Sequence, residues 1–201
     1  MVWLVGSQAW DPARLLRGAS QYGPQVVQSA QALEQTIRTV SSMDDGSKLA
    51  YINLFFNQRI LFRTDLEVWG VVDYWASPLE MLARGQGDCE DYAIGKYFSL
   101  LASGMAPAKL RMVYVRAMLG GVPQAHMVLA YYPAPDSEPY ILDNLIGEIR
   151  PASRRPDLTP VFSFNADGLW VGTSGPGAGD PKARLSRWRE VLNKGHEQGF
   201  F

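Results

Sequence analysis

The chain contains one cysteine and two histidines, so chemistry run by a thiol and an imidazole has few residues to choose from. Cys89 follows Gly85-Gln86-Gly87-Asp88 and opens a run in which Ala93, Ile94, Tyr97, Phe98 and Leu101 recur at helical spacing before Gly104. The spacing predicts a helix that starts at Cys89 with Asp88 as its N-cap. Unpaired N–H groups and the positive end of the helix dipole favour an anion there and lower a thiol pKa. A lone cysteine is more often a small buried hydrophobe, but a helix start flanked by charged residues is a poor place for inert packing. A thiolate nucleophile needs a base, and the base needs an orienting group. His126 lies 37 residues downstream in a strand-like run, and Asp143 follows 17 residues later at the end of another. Each has a plainer reading: His126 alternates with Val128 and Ala130 as a structural histidine would, and Asp143-Asn144 could open a turn. One mechanism accounts for all three together. His196 sits in a polar stretch, 193–199, and reads as a solvated, frayed tail.

Asp88, Glu90 and Asp91 place three formal negative charges within two residues of that thiol, and like charges at this range raise a thiol pKa. Capping duty explains Asp88 and Asp91 in part, but more acid remains than a thiol site needs. A hard divalent cation would cancel the repulsion, and clustered carboxylates suit Ca²⁺ better than a transition metal. No EF-hand pattern is present.

The elements that must position these residues fall into helices first and strands afterwards, which argues for an α+β fold rather than alternating βαβ units. Val26, Val27, Ala30, Leu33, Ile37 and Val40 predict a helix after Pro24, and Ser47 is the expected cap of a second helix reaching Leu61. Ser77-Pro78-Leu79-Glu80 is a capping box with proline at the first helical position, so a short helix runs to Arg84. Strand-like runs cover 110–119, 125–132 and 140–143, with a turn over 120–123, and 161–165 with 169–172 read as a hairpin. Residues 1–23 read as an N-terminal extension, 24–173 as the domain, and 174–201 as a Gly/Pro linker followed by a basic helix over 185–192.

Composition excludes several classes. With 201 residues, 47% hydrophobic and 19% charged, the chain is expected to be globular. A net charge of -1 and a pI near 6.1 give no support for a nucleic-acid partner. One cysteine rules out an intramolecular disulfide, and two histidines leave no material for a multi-His metal centre. No run approaches the ~20 apolar residues of a membrane span. The opening Met1-Val2-Trp3-Leu4-Val5 is apolar but short and lacks a basic flank, so it does not read as an intact signal peptide.

Asp73-Tyr74-Trp75-Ala76-Ser77-Pro78-Leu79-Glu80, Gly87-Asp88-Cys89-Glu90-Asp91-Tyr92, Lys96-Tyr97-Phe98-Ser99-Leu100, the 125–132 run and Leu142-Asp143-Asn144-Leu145 together resemble the bacterial transglutaminase-like cysteine proteinases. Arg155-Pro156-Asp157-Leu158 and the 160–165 run are similar to that family as well, so the resemblance spans about 53–170. It implies a papain-like, transglutaminase-type α+β fold with the nucleophile on a helix packed against an antiparallel sheet. It implies Cys89 as nucleophile, His126 as base and Asp143 as the orienting residue, with Ca²⁺ held by Asp88, Glu90 and Asp91. The implied substrate is a large cell-surface adhesin, cut near its N-terminus beside a pair of alanines, which releases the adhesin and disperses biofilm. The implied partner is the periplasmic domain of an inner-membrane cyclic-di-GMP receptor that sequesters the protease. The family is exported, so a mature periplasmic form is expected. Two other readings keep the same residues: a transglutaminase-like acyltransferase that passes the acyl group to an amine, and a binding module in which Cys89 is incidental.

Overall fold

Among the described residues, six α-helices come before the large sheet. α1 (Pro12–Ser20) starts at Asp11, whose side chain accepts from Arg14 N. α2 (Pro24–Val40) buries Val26, Ala30, Leu33, Ile37 and Val40 of the expected stripe and leaves Val27 half-buried. α3 (Asp45–Arg59) is capped by Asp44, not by Ser47, because the Asp44 carboxylate accepts both the Ser47 N–H and the Ser47 hydroxyl. It also stops two residues short of Leu61. Leu61–Phe62 instead forms β1, whose parallel partner β2 (Gln86–Gly87) directly precedes the Cys89 helix. Between them lie α4 (Asp65–Trp69) and α5 (Pro78–Arg84), the latter with the predicted Ser77/Glu80 capping box. The computed structural model describes residues 10–173 and 177–201; the Met1-to-Val5 run and part of the expected linker lie outside them.

α6 (Cys89–Ala102) is buried along nearly its whole length and packs on α3, on α5 and on the sheet. β3 (Leu110–Leu119) and β4 (Val122–Tyr131) form a hairpin closed by Gly120 and Gly121, both at positive φ as a two-residue turn requires. The expected four-residue turn is therefore shorter, since Val122 and Pro123 already pair with Leu119 and Met118. β5 (Tyr140–Leu142), β6 (Arg150–Pro151), β7 (Leu158–Phe164), β8 (Leu169–Val171) and β9 (Gly177–Gly179) complete an antiparallel sheet of order β6-β5-β4-β3-β7-β8-β9. β9 corrects the linker reading, since Gly177–Gly179 pairs with Leu169 and Trp170 at the sheet edge.

The C-terminal segment is also more ordered than its polar composition suggested. α7 (Pro181–Arg184) leads into α8 (Ser186–Glu197), which buries Trp188, Val191 and Leu192, with Phe200 buried after it. Gly195 lies against Phe98 so closely that a Cβ would meet the ring at 2.5 Å. His196 itself is exposed, as expected, but on a packed helix rather than a frayed tail. The main hydrophobic core draws on residues from Leu15 to Phe200, and a smaller cluster joins Val113, Val115, Val128, Ala130, Tyr132 and Ile141 on the sheet. The architecture is the α+β arrangement anticipated, with the Cys89 helix against an antiparallel sheet.

Candidate active site

The start of α6 is built by acids bonding to backbone. Asp91 is 0% exposed, and its Oδ1 accepts the Ala76 N–H at 2.7 Å. It also forms a reciprocal capping box with Asp88. A Cβ on Gly87 would sit 2.8 Å from Asp91 Oδ2, so the approach to Cys89 requires glycine. Cys89 Sγ donates to Glu90 Oε2 at 3.0 Å, and the Met127 N–H faces the thiol from β4. Cys89, His126, Met127, Trp75, Tyr114 and Phe162 share one cleft of about 270 Å³. Gln86, just before Cys89, sits in β2 away from that lining.

Behind the cleft, His126 Nε2 lies 2.8 Å from Asp143 Oδ1. Asp143 also accepts the Leu145 N–H at 3.1 Å and Arg155 Nη2 at 2.6 Å. Arg155 in turn forks onto Asp157, with Nε and Nη2 at 3.0 and 2.8 Å from the two carboxylate oxygens. Burial alone would raise the Asp143 carboxyl, but the hydrogen bond and charge of His126, the Arg155 bond and the Leu145 N–H outweigh it and hold it at about 2. An ionised Asp143 accepts a hydrogen bond from Nε2–H, which leaves Nδ1 as the ring nitrogen free to accept a proton. The helix-borne Cys89, strand-borne His126 and Asp143 just past β5 thus come together. Arg155, which anchors Asp143 from beneath, carried no site role in the sequence reading.

Around the thiol the acids are more numerous than the local run suggests. Asp65 and Asp73 join Asp88, Glu90 and Asp91, with ligand atoms of the sets Asp65/Asp88/Asp91 and Asp65/Asp73/Glu90 each within 4.8 Å of one another. The sequence signal for Asp65 was masked by its place at a helix start, and Asp73 lay in a motif valued for its aromatics. Burial, then the charges of Glu90 and Asp73, push Asp65 up to about 6. Burial and Glu90 push Asp88 up to about 10, and burial drives Asp91 upward too. The Cys89 thiol is pushed up by burial and by Glu90 and Asp88, against the dipole effect expected of a helix start. Asp65 Oδ1 and Asp88 Oδ1 are buried with no hydrogen-bond partner. Five hard oxygen donors in excess negative charge, two of them with orphaned oxygens, fit a divalent cation of the Mg²⁺/Ca²⁺ class.

Comparison with known proteins places the chain in a family. The family model for bacterial transglutaminase-like cysteine proteinases matches residues 21–157. Solved structures of Legionella pneumophila LapG match nearly the whole chain. The EGTA-treated form has 38% identity and a TM-score of 0.83, covering 94% of this chain and 100% of that one. The calcium-bound form has 39% identity and a TM-score of 0.80, covering 92% and 98%. No curated protein sequence matches significantly. The chain belongs to the bacterial transglutaminase-like cysteine proteinases and is a cysteine protease.

Proposed function

We propose that this protein is a calcium-dependent cysteine endopeptidase of the periplasm that cuts a large cell-surface adhesin near its N-terminus, beside a pair of alanines. Cleavage releases the adhesin and promotes biofilm dispersal, and the periplasmic domain of an inner-membrane cyclic-di-GMP receptor restrains the enzyme by sequestering it. The observation that carries the chemistry is the shared cleft of Cys89 and His126, with His126 Nε2 held by Asp143 at 2.8 Å. Substrate, receptor and compartment rest on the family resemblance of the sequence. A cleft of about 270 Å³ with Trp75, Tyr114 and Phe162 in its walls favours small side chains beside the scissile bond. Among the described residues no helix is long and apolar enough to cross a membrane.

In this reading His126 Nδ1 takes the Cys89 proton as the sulfur attacks the scissile carbonyl, then returns it to the leaving amine. Water next attacks the acyl-enzyme with the same imidazole as base, which frees the acid product. The Cys89 N–H at the helix start supplies an oxyanion donor. Asp65, Asp73, Asp88, Glu90 and Asp91 are the residues that would hold Ca²⁺, whose charge offsets the field now opposing thiol ionisation. Glu90 matters most, because it is both the nearest acid to the sulfur and a member of the cluster.

A purified adhesin N-terminal fragment carrying a di-alanine is the test substrate. Two products whose masses sum to the fragment plus one water are expected, lost with EGTA and restored by Ca²⁺ but not Mg²⁺. Amine-linked products, or cleavage indifferent to EGTA, would overturn the proposal.

Stability offers a second reading of the cluster. At 100-fold excess over its dissociation constant, Ca²⁺ contributes about 2.7 kcal/mol, or about 5–10 °C in melting temperature for a chain of this size. The pH dependence has a definite sign. Asp65, Asp88 and Asp91 have raised folded pKa values, so the folded state binds more protons than the unfolded one and the chelated protein gains stability as pH falls from 7 to 5. Asp143 works the other way, but its depressed value confines that loss to the range below about 4. Melting in EGTA at pH 7 and 5 measures the slope, and a lower melting temperature at pH 5 than at pH 7 would contradict it.

A further inference from the structure

We infer that the face of the sheet turned away from α6 carries a second binding site, for a small monocarboxylate with a branched aliphatic tail, in which Arg111 receives the charge. Strand alternation puts Arg111, Val113 and Val115 of β3 on that face, with Val128, Ala130 and Tyr132 beside them. Trp170 of β8 stands opposite Ser163, which in turn stands opposite Val113, so it shares the face. The Arg111 guanidinium lies 4.0 Å from the Trp170 ring and 4.8 Å from the Tyr132 ring. Among the described residues its one hydrogen bond goes to Thr173 O at 2.7 Å, and no carboxylate bonds to it. Arg111 Nε and the hydroxyl of Tyr132, a residue only 5% exposed, are buried with no hydrogen-bond partner. Arg111, Tyr132 and Trp170 line one cavity of about 390 Å³. A guanidinium resting on aromatic rings keeps its in-plane N–H groups for hydrogen bonds, and their fork matches the two oxygens of a carboxylate.

An apolar cavity of about 100 Å³ adjoins the first, with Pro139 and Thr173 in the walls of both. Val113, Val128, Ala130 and Ile141 line it from the sheet, and Ala152 and Leu158 from the segment that follows β6. Its one charged wall residue, Arg155, is committed to Asp143 and Asp157 at 2.6 and 2.8 Å, so a ligand's charge belongs on Arg111 instead. Arg111 and Val113 are two residues apart on one strand, a span of about 7 Å, which is the reach of an acid of about five or six carbons. The first cavity also restricts the head group. Glu138 accepts the Ser153 N–H at 2.6 Å, and Asp136 is exposed in the same lining. Two nearby acids oppose a dianion such as phosphate or a dicarboxylate more than a single negative charge. The fitting chemistry comes either from a free branched acid or from a peptide that ends in leucine.

The test is an NMR titration of Ca²⁺-loaded protein, followed at the indole N–H of Trp170, the tryptophan of these two cavities. The probes are 4-methylpentanoate and acetyl-Gly-Gly-Leu, and the tighter of the two names the source. A dissociation constant of about 1 mM or below is expected for that probe, as its size allows. The amide of 4-methylpentanoate keeps the tail without the charge, and acetate keeps the charge without the tail. Each is expected to bind about tenfold more weakly or worse. Arg111→Gln should weaken the acid by a similar factor, and so should Ala152→Leu, which fills the tail cavity. Should Arg111→Gln not fold, the comparison of acid with amide on the wild-type protein carries the same decision. No shift of the Trp170 signal with either probe at about 20 mM, equal binding of acid and amide, or undiminished binding by Arg111→Gln would overturn the inference.

Discussion

Replacing Cys89 by alanine is expected to lower kcat/KM on the adhesin fragment by about a millionfold, the scale on which a triad fails without its nucleophile. The same substitution is expected to leave the melting temperature within about 2 °C of wild type, as a change well under 1 kcal/mol would in a chain of this size. The two halves follow from different parts of the structure. The sulfur makes one side-chain hydrogen bond, to Glu90 at 3.0 Å, whereas the start of α6 is held by the Asp88/Asp91 capping box and by the Asp91 bond to Ala76 N. Removing the thiol therefore leaves the cap untouched. No second thiol exists in the chain to take over, so residual turnover has no covalent route through sulfur. Cleavage at a tenth of the wild-type rate or more, measured by product mass, would sink the nucleophile assignment. The Cys89→Ala protein should also keep its calcium response in melting, since none of the five carboxylates is changed.

What the sequence made legible was local. Ser77 to Glu80 fold as a capping box because three residues carry the whole instruction. Asp88 marks the start of α6, and β3 keeps its predicted ends, because the strand is long and the Gly120-Gly121 turn punctuates it. Other features depend on pieces far apart in the chain. Asp65 and Asp73 reach the thiol through α4 and the short β1–β2 pairing, and two-residue strands have no periodicity to read. In α8 the polar residues hide Trp188, Val191, Leu192 and Gly195 at i, i+3, i+4 and i+7, a helical face that buries fully only against Phe98 and its neighbours. Asp44 and Ser47 compete for one cap, and a carboxylate able to accept from both the backbone and the hydroxyl of Ser47 wins. Arg155 was invisible as a site residue for a related reason. It is a buried cation whose meaning comes from Asp143, and burial is decided by packing that no short pattern encodes.

Arg155→Met tests that dependence most directly. The guanidinium is almost wholly buried, donates to Asp143 Oδ2 at 2.6 Å and ties the pair to Asp157. Truncating one partner of a buried pair leaves the other charge uncompensated and costs about 3–5 kcal/mol, a fall of about 6–20 °C in melting temperature at this chain length. Asp143 then keeps only His126 and the Leu145 N–H among its stabilising partners, so its carboxyl rises from about 2. The His126 ring loses its fixed anchor, and a displacement of about 1 Å there lowers the rate about a hundredfold. The double variant Arg155→Met with Asp143→Leu separates the two losses. With no fully buried carboxylate left to strand, since Asp157 is partly exposed, most of the stability should return, whereas activity should fall further because nothing then holds Nε2. An Arg155→Met protein that melts like wild type would show that the buried pair is not the anchor of the triad. A double variant less stable than the single one would place the cost in packing rather than in the unpaired charge.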